Sequence, residues 1–118
     1  MVGVPLMRRK IYLAGPMTGY ENNNYDKFMA KATELGNQGW DVFNPAEMDL
    51  EEGLSPDRPF TRLDYMQAAR RDLRALKEVD AIYLQHGWEQ SFGACWEWAY
   101  AKELGLIIYY ETPLPEKP

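Results

Sequence analysis

The residue most in need of explanation is an acid in apolar company. Glu97 lies among Phe92, Cys95, Trp96, Trp98 and Ala99, six residues after Ser91. Burial raises the pKa of such a carboxyl, while the positive end of a helix lowers it. An acid in that setting is either a working group or half of an ion pair with an arginine of a neighbouring helix, because charges are seldom buried without a partner or a task. Ser91 stands where a helix N-cap belongs, and its hydroxyl can cap free amides or hold an oxyanion. Gly93 removes a side chain from the first turn, so a ligand can come close. Asp72 lies one residue off an apolar stripe, beside Ala69 and Leu73. It borders the same cleft or forms a surface ion pair one helical turn away.

Three further stretches bear on chemistry. Gly15-Pro16-Met17-Thr18-Gly19 is either an anion-holding loop or a plain turn. It is neither a GxGxxG nor a Walker sequence, so classical dinucleotide and triphosphate sites lack support. Trp88 follows Gly87 and either stacks on a planar base or packs a lid. Tyr12 points to one face of a sheet, where core packing is the plain reading. Cys95 reads as buried filler, and His86 has no visible partner.

These residues need elements to hold them. Ile11 to Ala14 reads as a buried strand stopped by Gly15-Pro16. Tyr25, Phe28, Met29, Ala32 and Leu35 form a helical stripe, with Asn24 as N-cap and Gly36 or Gly39 as stop. Trp40 to Phe43 is a second strand, ended by Asn44-Pro45. Residues 44–60 hold Pro45, Gly53, Pro56 and Pro59, and Asp41 to Asp57 carries six acids and no base. That segment reads as a long acidic surface loop, a lid or a solvated connector. Leu63 to Glu78 is a second helix with Met66, Ala69, Leu73 and Leu76 facing inward and Arg70, Arg71, Arg74 and Lys77 outward. Val79 to Leu84 is a third strand. Ser91 to Leu104 is a helix apolar nearly all round, hence buried on more than one side. Leu106 to Tyr110 is a fourth strand, and the tail over residues 112–118 is expected to fray.

Strands alternating with helices predict an α/β fold, a parallel sheet with right-handed crossovers. Ligands in such folds sit beyond the carboxyl ends of the strands. That rule selects the Gly15 loop, the Asn44 loop and the Gln85–Ser91 loop.

The chain has 118 residues, which predicts one domain over 1–118 with a core of about 9–110. A net charge of −5 argues against general nucleic-acid binding, which needs clustered Lys and Arg. No apolar run approaches the ~20 residues that cross a bilayer, and the N-terminus lacks a signal-peptide core. One cysteine and one histidine argue against an internal disulfide and against Cys- or His-rich metal sites. A cytoplasmic location is the expectation, with no metal and no cofactor.

The strings KIYLAGPMTG, NPAE, RRDLRALKEVDAIYL and GWEQSFGACWEWAYAKELG resemble the nucleoside 2-deoxyribosyltransferase-like superfamily, and within it a phage and bacterial branch. The resemblance spans about residues 9 to 110. It implies a Rossmann-like three-layer fold with a four- to five-stranded parallel sheet and an N-glycosidic bond as target. It implies Glu97 as nucleophile at the sugar C1′ and Asp72 as the group assisting the leaving base or positioning the sugar. Tyr12 matches the aromatic of the first strand, and Gly15, Pro16 and Met17 match the segment near the sugar 5′ end. Free-nucleoside transferases carry aspartate six residues before the nucleophile; here that residue is Ser91, as in relatives that hydrolyse nucleoside 5′-monophosphates. Serine with free helix amides suits a phosphate dianion, which aspartate would repel. The expected partner is therefore a small-molecule nucleotide rather than nucleic acid or membrane. A homodimer is expected from the resemblance and the surplus of aromatics. The chain ends soon after the fourth strand, short of the C-terminal segment that completes some transferase sites. The alternatives are deoxyribosyl transfer, a nucleotide-binding module without turnover, and an interaction protein using the acidic loop.

Overall fold

A computed structural model describes residues 9–114. The expectations for the N-terminal residues 1–8 and for the last four residues of the tail lie outside that range. The described chain runs β1 (Lys10–Ala14), α1 (Tyr25–Asn37), β2 (Asp41–Phe43), α2 (Pro45–Glu51), α3 (Arg62–Leu76), β3 (Ala81–Leu84), α4 (Phe92–Glu103) and β4 (Ile107–Tyr110). Short 3-10 turns cover Glu21–Asn24 and Trp88–Gln90. The four strands form one parallel sheet in the order β2-β1-β3-β4.

Period-two alternation splits the strands between two cores. Ile11, Leu13 and Ala81 face α1, where Tyr25, Phe28 and Leu35 meet them. Tyr12, Ala14, Ile82 and Leu84 face the other way, onto Leu76 of α3 and Ala94 and Ala101 of α4. The sheet is thus the middle of three layers. Connections leave β1 toward β2 on one side, while β3 pairs on the other. The loops after β1 and β3 therefore diverge at their carboxyl ends and open a crevice there.

Two expectations change and a third is narrowed. Residues 44–60 are not all loop: α2 occupies Pro45–Glu51. Asn44 Oδ1 accepts from the Ala46 amide at 3.1 Å and Pro45 fills the first helical position. Asn then Pro is a helix start when the following residues are helix formers, so these supposed breakers initiate an element. Arg71 does not share the outer face of α3 with Arg70, Arg74 and Lys77; it is 8% exposed. Helix α4 packs against α3, β3 and β4, but one of its faces is open to solvent. Phe92 is 95% and Trp96 65% exposed, while Ala94 and Ala101 are buried and Cys95, Trp98 and Tyr100 pack beside them. An all-apolar helix carries no stripe to say which face turns inward, and here the small residues fit closest to the sheet.

Helix α3 shows a related split. Its carboxyl half packs through Leu73 and Leu76, but Met66 and Ala69 in its first half are exposed. A reciprocal capping box starts the helix: Thr61 Oγ1 accepts from the Asp64 amide at 3.1 Å, and Asp64 Oδ2 accepts from the Thr61 amide at 2.7 Å. Asn24 precedes α1 as expected, yet its side chain does not cap. It sits in the left-handed region at φ 62° and donates from Nδ2 to the Pro16 carbonyl at 2.9 Å.

Candidate active site

The crevice at the carboxyl ends of β1 and β3 is a cavity of about 510 Å³, within the range of small-molecule sites. Each wall comes from a different element. The strand end and its loop give Ala14, Gly15, Met17 and Thr18. Helix α4 gives Ser91, Phe92, Gly93, Trp96 and Glu97, and α3 gives Tyr65, Ala69, Asp72 and Leu73. Asp49 of α2, Asn23 before α1 and Phe60 before α3 complete it.

Of the residues singled out in the sequence, Gly15, Met17, Asp72, Ser91, Gly93 and Glu97 share this cavity. Tyr12 lies beneath it, fully buried, stacked on Phe43 with centroids 5.3 Å apart. Its hydroxyl donates to Glu97 Oε2. Three others are placed elsewhere. Trp88 does not line the cavity; it is buried against Trp98 and Tyr110, with ring centroids at 5.3 and 6.0 Å. Gly87 before it has a positive φ of 88°, and with its ring in the core Trp88 presents no face to the cavity. Asn44 is buried as the cap of α2, with Nδ2 3.3 Å from Met29 Sδ. Pro16 is buried and contributes its carbonyl to Asn24.

The two glycines act differently. A Cβ on Gly15 would lie 2.9 Å from Gln85 Nε2 and 3.0 Å from Gln85 Cβ, so protein packing requires this glycine. Gly15→Ala is expected to destabilise the fold by about 1–3 kcal/mol, read as a lower urea midpoint at unchanged slope. A Cβ on Gly93 would meet nothing closer than Ser91 Oγ at 4.0 Å. The space it leaves belongs to the cavity. Ser91 Oγ accepts from the Ala94 amide at 3.2 Å, so its hydroxyl is the N-cap of α4 as expected.

The carboxyls are electrostatically strained. Burial, helped by Asp72, pushes Glu97 up to about 8, against the opposing pull of the Tyr12 hydroxyl and Arg71. Burial pushes Asp72 up to about 6, against the Arg71 guanidinium. Tyr12 is raised well above an ordinary phenol by burial and by Glu97. The Glu97 environment therefore favours a protonated acid near neutrality, with Tyr12 the donor that eases ionisation. Tyr12→Phe should cut any reaction needing ionised Glu97 about 10–100-fold, the worth of one hydrogen bond to a charged group. The check is its turnover against wild type at fixed pH.

Arg71 turns inward, away from the solvated basic face expected for it. Its Nη2 lies 2.7 Å from Asp72 Oδ1 and 2.8 Å from Asp49 Oδ1, and its Nη1 3.1 Å from Glu52 Oε1. The guanidinium thus clasps Asp72 and α2, and among the described residues it acts on Glu97 only at a distance, without an ion pair. Asp49, Asn23, Phe60 and Tyr65 also form the cavity wall, beyond the residues expected from the sequence. For Asn23 a signal existed: Asn22, Asn23 and Asn24 form a run, and all three adopt positive φ, at 51°, 52° and 62°. Asn tolerates that region better than other side-chain-bearing residues. Among the described residues, no group of three or more His, Cys, Asp or Glu is arranged to hold a metal, and no helix is long and apolar enough to cross a membrane.

Comparison with known proteins adds three findings. Residues 9–110 match the family model described as Domain of unknown function (DUF4406). No curated protein matches the sequence. Among solved structures, a 2-deoxyribosyltransferase from Bacillus psychrosaccharolyticus is similar, with TM-score 0.64 and 22% identity over 92% of this chain and 77% of that one. A 2-deoxyribosyltransferase from Leishmania mexicana is similar, with TM-score 0.62 and 16% identity over 86% of this chain. The alignment spans 63% of the Leishmania mexicana chain's own length. At these identities the likeness concerns the fold, and it agrees with the parallel α/β architecture read from the sequence.

Proposed function

The chain belongs to the DUF4406 family, and for it we propose cleavage of the base–sugar bond of a nucleoside 5′-monophosphate, with Glu97 as nucleophile. One observation carries the reading. Among the described residues, one glutamate lines a ligand-sized cavity, bonded by a buried phenol and paired with no guanidinium. That is the arrangement of a carboxylate kept for attack rather than for a salt bridge.

In the proposed reaction the reactive form has Glu97 ionised and the proton on Asp72, the reverse of the order their environments favour; Tyr12 holds Glu97 Oε2 and the second oxygen attacks C1′ as the base departs. The C1′–N bond breaks, its electron pair goes to the base, and Asp72 delivers a proton to that nitrogen. The glycosyl ester on Glu97 is then opened by water, which adds OH to C1′ and returns a proton to Asp72. Two easier steps replace one hard one. The transition state is oxocarbenium-like and gains from the adjacent anion. A 2′-deoxy sugar is favoured, because a 2′-hydroxyl withdraws electron density from that cation. In this reading the 5′-phosphate is held by the Gly15 loop together with Ser91 and Gly93, which line the same cavity, the latter two at the positive end of α4.

A second reading, glycosyl transfer from a free nucleoside, is favoured by one specific feature. Among the described residues, the charged ones lining the cavity are Asp49, Asp72 and Glu97, all acidic. The two solved neighbours named as 2-deoxyribosyltransferases point the same way. The test is a panel of nucleosides and their 5′-monophosphates, with and without an acceptor base, followed by chromatography for free and exchanged base. Release from monophosphates at least about tenfold faster than from nucleosides is the expected result, matching one charge-assisted contact. Faster turnover of nucleosides with base exchange supports the second reading. Tight binding without release of any base leaves a binding module.

A further inference from the structure

We propose that Arg71 is a positioning residue: its guanidinium fixes the Asp72 carboxylate on the cavity wall by tying it to helix α2. The inference rests on the role given to Asp72 above.

Adjacent residues on a helix point about 100° apart, so neighbouring side chains do not ordinarily meet. Yet Arg71 Nε donates to the Oδ1 of Asp72, the next residue, at 2.8 Å. Something must draw the guanidinium round, and α2 does so. Nη2 lies 2.8 Å from Asp49 Oδ1 and donates to the Pro45 carbonyl at 3.4 Å, while Nη1 donates to Glu52 Oε1 at 3.1 Å. All three nitrogens of one planar fork are engaged, and the fork has a geometry that an ammonium lacks. The anchor is itself held. Asp49 Oδ2 accepts from the Tyr25 hydroxyl at 2.9 Å, and that hydroxyl lies 3.0 Å from the Leu54 carbonyl.

The result is a polar chain from α1 through α2 and α3 to the cavity: Tyr25, Asp49, Arg71, Asp72. Glu52 just past α2, Tyr12 from β1 and Glu97 from α4 are the other titratable groups acting on it among the described residues. Asp72 then cannot turn away when a base departs, and the acid intended for the leaving group stays where α2 has placed it.

Carboxyl carbon NMR titration of the full chain tests this, in wild type, Arg71→Lys and Arg71→Met, with thermal unfolding run in parallel. Arg71→Met should raise the Asp72 midpoint by at least about one pH unit, since a cation within contact distance is removed. Arg71→Lys keeps the charge and loses the fork, so a smaller rise is expected. In the same variant kcat for base release should fall about tenfold or more with KM changed less than about threefold, the sign of a lost transition-state interaction. In wild type, the guanidinium nitrogens should give separate Nη signals from slow rotation. Asp72 midpoints unchanged in folded Arg71 variants overturn the proposal, and so does a single averaged Nη signal. Arg71→Met is the variant at risk of unfolding; Arg71→Lys and the wild-type guanidinium spectrum do not depend on it. A wild type that releases no base refutes the reaction, while the titration and the guanidinium signals still judge the positioning.

Discussion

Glu97→Gln is expected to lower base release by at least about 10³-fold, the scale of loss when a nucleophile is deleted. The amide is nearly the size of the acid and can still meet the Tyr12 hydroxyl, so the cavity and its packing persist. What disappears is the oxygen that would form the glycosyl ester and the anion that would face the oxocarbenium ion. Ligand binding should survive, because the Gly15 loop, Ser91 and the aromatic rim at Tyr65, Phe92 and Trp96 are untouched. The measurement is single-turnover chromatography of free base at saturating substrate, beside calorimetric titration of the same ligand. A variant that turns over within tenfold of wild type removes Glu97 from the chemistry. One that loses binding together with turnover shows Glu97 to hold the sugar rather than to attack it, whereas a wild type that binds without release, unaffected by this change, is the binding module.

How much of this was written in the residues differs from one element to the next. The strands were legible because buried parallel strands are short apolar runs, and Gly15-Pro16 and Asn44-Pro45 punctuate them. Their alternation with helices fixed the crevice at the carboxyl ends, and six of the ten singled-out residues meet there. Trp88 failed because a turn's exact twist decides whether an aromatic enters the core or the cleft, and periodicity does not encode that twist. Arg71 failed for a related reason. A stripe of basic residues on an amphipathic helix reads as solvated, and only the presence of α2 across from it turns one of the four inward. Since α2 was itself concealed behind a Pro and a cluster of acids, its electrostatic consequence was concealed too. Those acids are in part the partners of Arg71: Asp49 and Glu52 belong to the same run from Asp41 to Asp57 that looked like a solvated loop.

Stability should rise, not fall, when the same glutamate is replaced, and the gain should depend on pH. Glu97 ionises near its ordinary value of 4.5 in the unfolded chain and is pushed up to about 8 in the folded one, mainly by burial. Between those values the native state binds the proton and the unfolded state has lost it. The unfolded state then binds fewer protons, so unfolding free energy decreases as pH rises through that window. The full displacement corresponds to ~5 kcal/mol, and solvent in the cavity brings the expected loss to about 2–5 kcal/mol by pH 8.5. Glu97→Gln has no proton to lose. It should match wild type near pH 4.5 and exceed it increasingly up to pH 8.5, in urea unfolding followed at matched ionic strength. Parallel stability curves for the two proteins would mean that the carboxyl is hydrated in the folded state. A variant less stable than wild type at pH 8.5 would mean that the ionised carboxylate is a structural anchor. The expected divergence would mark an acid that the fold tolerates at a cost, which is the relation between stability and activity seen where a site must keep a charge poised out of water.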